Sequence, residues 1–178
     1  MVLRNNRWNP LNSTLIIVEG LTDKGFIEGI AEKLQAQCKV HIMRGNRPEK
    51  VSRFLKAFMG EFNKAIILKD LHRAGRDTTT LINKLTSKLK QLESQGLQLQ
   101  VISVKRSIES WILAGLSVNN PEEILNPEEE LKKLMQKKGK QYIKSPEIYK
   151  RLAKEEIDIK KAAAKSEAFK NFIEILTT

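Results

Sequence analysis

The chain has 178 residues and a formal charge of +11, with a pI near 9.8. That is enough length for one sizeable core, and the basic excess favours a polyanionic partner. Its single cysteine, Cys38, excludes an intramolecular disulfide and a cysteine-rich zinc site. No apolar run approaches the ~20 residues that span a bilayer, and Met1 to Pro10 has arginines but no apolar stretch of signal-peptide length, so the expected place is the cytoplasm, away from membranes.

In chain order, Thr14 to Val18 is rich in β-branched residues and reads as a short strand buried on both faces, as in a parallel sheet. Glu19 ends it and Gly20 permits a tight turn. Thr22 or Asp23 is the expected cap of the next helix, in which Phe26, Ile27, Ile30, Ala31 and Leu34 recur at amphipathic spacing. Cys38 to Arg44 reads as a second strand in which Cys38 is a small core residue and His41 is structural. The Gly45-Asn46-Arg47-Pro48 turn then leads into a helix carrying Val51, Phe54, Leu55 and Phe58. Arg44, Arg47, Lys50, Arg53 and Lys56 recur every three residues, which suits either a solvated helix face or a surface for a nucleic-acid backbone.

Ala65 to Leu68 is a third apolar run, and it opens into Lys69-Asp70-Leu71-His72-Arg73-Ala74-Gly75-Arg76-Asp77, a segment whose charges require solvent, ions or a ligand. Asp77 is the expected cap of a long helix with Leu81, Ile82, Leu85, Leu89 and Leu92 on one face, stopping near Gly96. Leu97 to Val104 supplies a fourth strand. A short helix follows with Ser107 as its cap and Glu109 in its first turn, where an acid suits the helix dipole whatever else it does.

From Asn119 the texture is helical and charged. Pro121 and Pro127 begin acidic first turns, Lys137 to Lys144 reads as a loop, Ser145-Pro146-Glu147 starts a helix through Leu152, and Ile157–Ala164 and Ser166–Leu176 complete the chain. Residues 1–118 hold 19 Lys and Arg against 10 Asp and Glu, whereas 119–178 hold 13 against 11, so the excess of +9 lies with the first part and +2 with the second. The expected division is a catalytic part over residues 1–118 and a helical extension, 119–178, packed on the same domain. Trp8 and Trp111 are read as packing residues rather than platforms for bases.

Strand and helix alternate as in a parallel α/β sheet, and three strand ends carry an acid: Glu19, Asp70 and Glu109. Oxygen ligands of this kind suit Mg²⁺ or Mn²⁺, and phosphoryl chemistry with them.

The run LIIVEGLTD resembles the first motif of the Toprim domain, in which a glutamate ends the first strand. IILKDLHRAG resembles its second motif, usually Asp-x-Asp. SIESWILA, KSPEIYKRLA and the Ala163, Ser166, Phe169 pattern are similar to segments of stand-alone Toprim-like proteins related to the overcoming-lysogenization-defect and RloB-type nucleases. The resemblance implies a Toprim-like, Rossmann-like fold, with a central, mainly parallel four-stranded sheet flanked by helices and extended by C-terminal ones.

It also implies a nuclease that hydrolyses phosphodiesters of DNA or RNA with Mg²⁺ or Mn²⁺. Glu19 would be a metal-associated acid or base, Asp70 a direct ligand and Glu109 an additional one. His72 stands where the family's second aspartate belongs, and imidazole suits Mn²⁺ better than Mg²⁺.

Lys105, near Glu109, is the candidate for stabilising transition-state charge. Arg44, Arg47, Lys50, Arg53, Arg73, Arg76 and Arg106 are the candidates for nucleic-acid contact. Two other readings stand beside the nuclease: a catalytically silent nucleic-acid-binding or partner-binding module of the same fold, and a metal-dependent enzyme on a small phosphorylated nucleotide. A protein partner and a homodimer are both compatible with the sequence.

Overall fold

The computed structural model describes residues 13–45, 47–71 and 78–178. Thr14–Val18 forms β1 with all five residues buried, because apolar side chains on both faces of a strand need cover on both sides. In chain order follow α1 (Leu21–Leu34), β2 (Cys38–Ile42), α2 (Pro48–Ala57), β3 (Lys64–Leu71), α3 (Thr78–Glu93), β4 (Gln98–Lys105) and α4 (Ile108–Gly115).

The described strands form one parallel sheet in the order β2-β1-β3-β4, with Ile16 opposite both Val40 and Ile66, and Ile66 opposite Gln100. The α/β architecture expected from the alternation is therefore present, with helices on both faces of the sheet.

This strand order fixes where the helices go. From β1 the chain steps outward to β2, then crosses back over β1 to β3 and continues to β4. Right-handed crossovers put the first connecting helix on one face and the next two on the other. The buried clusters agree: α1 and α4 share a core with Ile16, Ile66, Leu68 and Ile102, whereas α2 and α3 share one with Leu15, Ile17, Ala65 and Ile67. The reversal between β1 and β3 is the topological switch point, beyond whose carboxyl ends α/β proteins place their ligands.

Three local expectations shift. The N-cap of α1 is Gly20 rather than Thr22 or Asp23, since the turn after β1 is tight enough to start the helix at once. Asp23 sits in the first turn and its carboxylate accepts the Gly20 N–H at 2.9 Å. β2 ends at Ile42, not Arg44: Met43 still donates to the Val18 carbonyl at 2.8 Å, but Gly45 then turns the chain at φ +76°. Ser107 holds the N-cap position of α4 without capping it through its side chain. The expected Asp77 cap lies outside the described residues, as does Trp8.

The extension packs against the α1 and α4 face. It comprises a 3₁₀ turn (Pro121–Glu123), α5 (Pro127–Lys137), α6 (Pro146–Arg151), a five-residue π turn (Leu152–Glu156), α7 (Ile159–Lys165) and α8 (Glu167–Thr177). Asn126, Ser145, Asp158 and Ser166 cap α5, α6, α7 and α8 through their side chains.

Phe169 and Phe172 meet Trp111 at ring-centroid distances of 5.2 and 5.6 Å, which confirms Trp111 as a core residue with no exposed surface. Ser166 also donates to Glu122 at 2.6 Å, so the Ala163, Ser166, Phe169 pattern has a structural role as helix cap and core anchor.

Contact between α1 and α6 depends on two missing side chains. A Cβ at Gly25 would overlap the Pro146 carbonyl, and one at Gly29 would overlap the Lys150 carbonyl and approach Ala153 Cβ to 2.7 Å. Among the described residues no helix is long and apolar enough to cross a membrane.

Candidate active site

Because side chains alternate along a strand, the end of β3 splits its residues between the two faces. Asp70 falls on the side of Ile66 and Leu68, facing α1 and α4, while Lys69 falls on the side of Ala65 and Ile67. On the Lys69 side, the ammonium group is paired with Glu19 Oε1 and also donates to the Gly45 carbonyl at 3.2 Å. On the Asp70 side stand Asp23, from the first turn of α1, and Glu109, from the first turn of α4. Glu19, Asp70 and Glu109 are thus brought to one edge of the sheet, and Asp23 joins them.

The electrostatics follow from that crowding. Burial, and then the charges of Asp23, Glu19 and Glu109, push the Asp70 carboxyl up to about 9, against the opposing pull of Lys69. Burial also raises Asp23, helped by Glu109 and Glu19 and resisted by the Gly20 N–H.

Glu109 goes the other way. Burial alone would raise it, but the Ser107 side chain, the Tyr149 hydroxyl and the Lys144 charge hold it below the usual carboxylate value. The hydroxyl of Ser107 is therefore given to Glu109 rather than to the helix. Tyr149 donates to Glu109 Oε1 at 2.7 Å, and Lys144 Nζ lies 3.5 Å from the same oxygen.

Two carboxyls in one cluster, the half-buried Asp70 and the buried Glu109, are thus driven apart in acidity, Asp70 toward the acid and Glu109 toward the anion. Such divergence is how a single site can supply both a proton donor and an ionised ligand or base at neutral pH. Among the described residues, no three His, Cys, Asp or Glu side chains stand together as a ready-made metal cage.

Lys105 points to other work: it is largely exposed and pairs with Glu122 at 3.0 Å. Arg106 occupies the left-handed region at φ +65°, between β4 and α4. Arg44, Arg47, Lys50, Arg53 and Lys56 are all exposed, beginning beside the Gly45 turn at the acidic edge and running down α2. Arg53 and Lys56 line a groove with Ser52, Ser87, Lys88 and Gln91, where Lys88 of α3 reaches Glu49 of α2 at 3.8 Å. His72, Arg73 and Arg76 lie outside the described residues. His41 stacks on Phe54 at 4.1 Å, and burial pushes the Cys38 thiol up to about 11, so both behave as packing residues.

Sequence reasoning missed four members of this neighbourhood. Asp23 was legible as an acid four residues after Glu19, where a helix start keeps it beside the strand end. Lys69 adjoins Asp70 but faces away from it, and only the pairing of β1 with β3 brings it to Glu19. Lys144 and Tyr149 carried no local signal, since their partner is 35 and 40 residues away in sequence. No family model, curated protein or solved structure matches this chain.

Proposed function

We propose that this chain is a divalent-metal-dependent nuclease of Toprim type, hydrolysing phosphodiesters in DNA or RNA at the carboxyl edge of its sheet. One observation carries the reading: Asp70, at the switch point of the sheet, is surrounded by three other carboxylates and pushed up to about 9. A fold that brings three acids to bear on the half-buried Asp70 makes its ionisation costly until a cation arrives. The donor set is all oxygen, which fits Mg²⁺ or Mn²⁺. The residues that would hold the ion are Asp70, Glu109 and Glu19, with Asp23 beside them and His72 nearby in sequence. When bound, a metal of this class polarises the phosphoryl oxygen and acidifies water.

The chain's own residues do the rest. Lys69 orients Glu19 through their ion pair, fixing that carboxylate at the strand end. Arg44 and Arg47, beside the Gly45 turn, offer guanidinium groups to the phosphates flanking the scissile bond. Lys50, Arg53 and Lys56 continue that positive track along α2.

The test uses purified protein with single-stranded DNA, duplex DNA and RNA in Mg²⁺ or Mn²⁺. Glu19→Gln and Asp70→Asn should each reduce cleavage by about 10²–10⁴-fold. Equal cleavage by wild type and both variants overturns the reading.

A catalytically silent nucleic-acid-binding module is the second reading, favoured by the Lys69 pairing that already neutralises Glu19. Metal-independent, steeply salt-dependent binding without any product would select it.

A further inference from the structure

We propose that Tyr149, on the helical extension, is a positioning residue for the metal centre: its hydroxyl sets the Glu109 carboxylate, so the extension takes part in loading the site. The inference rests on the metal-binding reading given above.

Glu109 is 4 % exposed and Tyr149 has no exposed surface, so the 2.7 Å hydrogen bond between them is shielded from water. The Tyr149 oxygen is itself fixed by the Tyr142 hydroxyl at 2.9 Å. Lys144 contacts the same Glu109 oxygen at 3.5 Å and anchors to Glu128 of α5 at 2.6 Å. A glutamate has three side-chain torsions, and a ligating one gains from an outer partner that selects a single arrangement. Here that partner comes from α6.

The placement of α6 is tied to the same centre. It lies against Gly25 and Gly29 of α1, and α1 carries Asp23 in its first turn. Asp23 on α1 and Glu109, held by Tyr149 of α6, are therefore placed by two helices that pack directly on each other, and the charges of both acids act on Asp70. A tyrosine that merely filled space in the core would need no hydroxyl aimed at a buried carboxylate.

Titration calorimetry of the full chain with Mn²⁺, alongside metal-free thermal unfolding, tests the proposal without relying on turnover. Tyr149→Phe keeps the ring and should weaken Mn²⁺ binding by about 10–100-fold. In a Glu109→Gln background the same change should cause no further weakening, because its effect runs through Glu109.

Mn²⁺ affinity of Tyr149→Phe within about twofold of wild type, far from the expected loss, overturns the proposal. So does an equal weakening with and without Glu109, which would mark a general effect on the fold. Should Tyr149→Phe lose its unfolding transition, Tyr142→Phe is read in its place. Weaker Mn²⁺ binding by that variant supports the proposal and unchanged binding overturns it. Wild-type protein that binds no Mn²⁺ overturns the metal reading and this inference together, whereas binding that ignores Tyr149 and Tyr142 overturns this inference alone.

Discussion

On one face of the sheet, α1, α4 and the extension bring Trp111, Tyr149, Phe169 and Phe172 against Ile16, Ile66 and Leu68. On the other, α2 and α3 bring Val51, Leu55, Leu85, Leu89 and Leu92 against Leu15 and Ile17. The first face is aromatic and so close-packed that two glycines are needed for α6 to approach α1. The second is mainly aliphatic, with Phe62 buried in it and Phe54 and Phe58 against it, and carries exposed cations on its outer surface.

Asp70, Asp23 and Glu109 belong to the first face, while Glu19, its partner Lys69 and the basic track belong to the second. Under the proposed function, the first face would hold Asp70, Asp23 and Glu109, and the second would offer Glu19 and its exposed cations to the polyanion. Groups that must be held to such precision are best supported by packed elements.

The difference breaks most severely at the glycines. Gly29→Leu should cost more than about 4 kcal/mol or abolish folding, because the Lys150 backbone and Ala153 leave no room, whereas Leu89→Ala on the aliphatic face should cost about 2–5 kcal/mol and still fold. Chemical denaturation of both variants checks this. Equal losses would remove the contrast between the faces.

A smaller effect, of opposite sign, is expected at Asp70. Its folded value of about 9 lies above the ordinary value of 3.8, so the folded state retains a proton that the unfolded state loses. The associated stability is complete below pH 4 and is lost as pH rises through 9. Asp70→Asn should therefore raise stability by about 1–3 kcal/mol at pH 8, an amount discounted for screening of a half-buried group, and the gain should vanish near pH 4. Thermal melts of both proteins across that range measure it. Glu109, held low, contributes stability above its ordinary value of 4.5 that is lost as pH falls through its lower folded value.

The smallest change sharpens the second face. Replacing Arg53 and Lys56 by Gln should leave unfolding nearly unchanged and reduce the slope of log affinity against log salt by about 0.7–0.9 for each phosphate that is no longer neutralised. Fluorescence anisotropy with a labelled oligonucleotide at several salt concentrations reads that slope. An unaltered slope would make the stripe an ordinary solvated helix face.

Much of this molecule was legible locally. The unbroken apolar run before Glu19 specifies a strand buried on two sides. The proline and serine signals at Asn126-Pro127 and Ser145-Pro146 mark helix starts that the structure reproduces. Less legible was the exact turn after Glu19, where Gly20 takes the cap and its N–H holds the Asp23 carboxylate in the first turn of α1. Lys105 shows the limit of inference from proximity in sequence: it is four residues from Glu109, yet the turn at Arg106 separates them and Lys105 pairs with Glu122 instead.

The sequence by itself determined the alternation of elements and the acids at the strand ends, because side-chain period and turn chemistry act over a few residues. Only the tertiary structure decided which face each acid occupies, that burial among like charges raises Asp70 while Tyr149 and Lys144 lower Glu109, and that the extension reaches the site at all. Those outcomes depend on strand order and on a contact spanning 40 residues, and no local pattern encodes the partner of a buried hydroxyl.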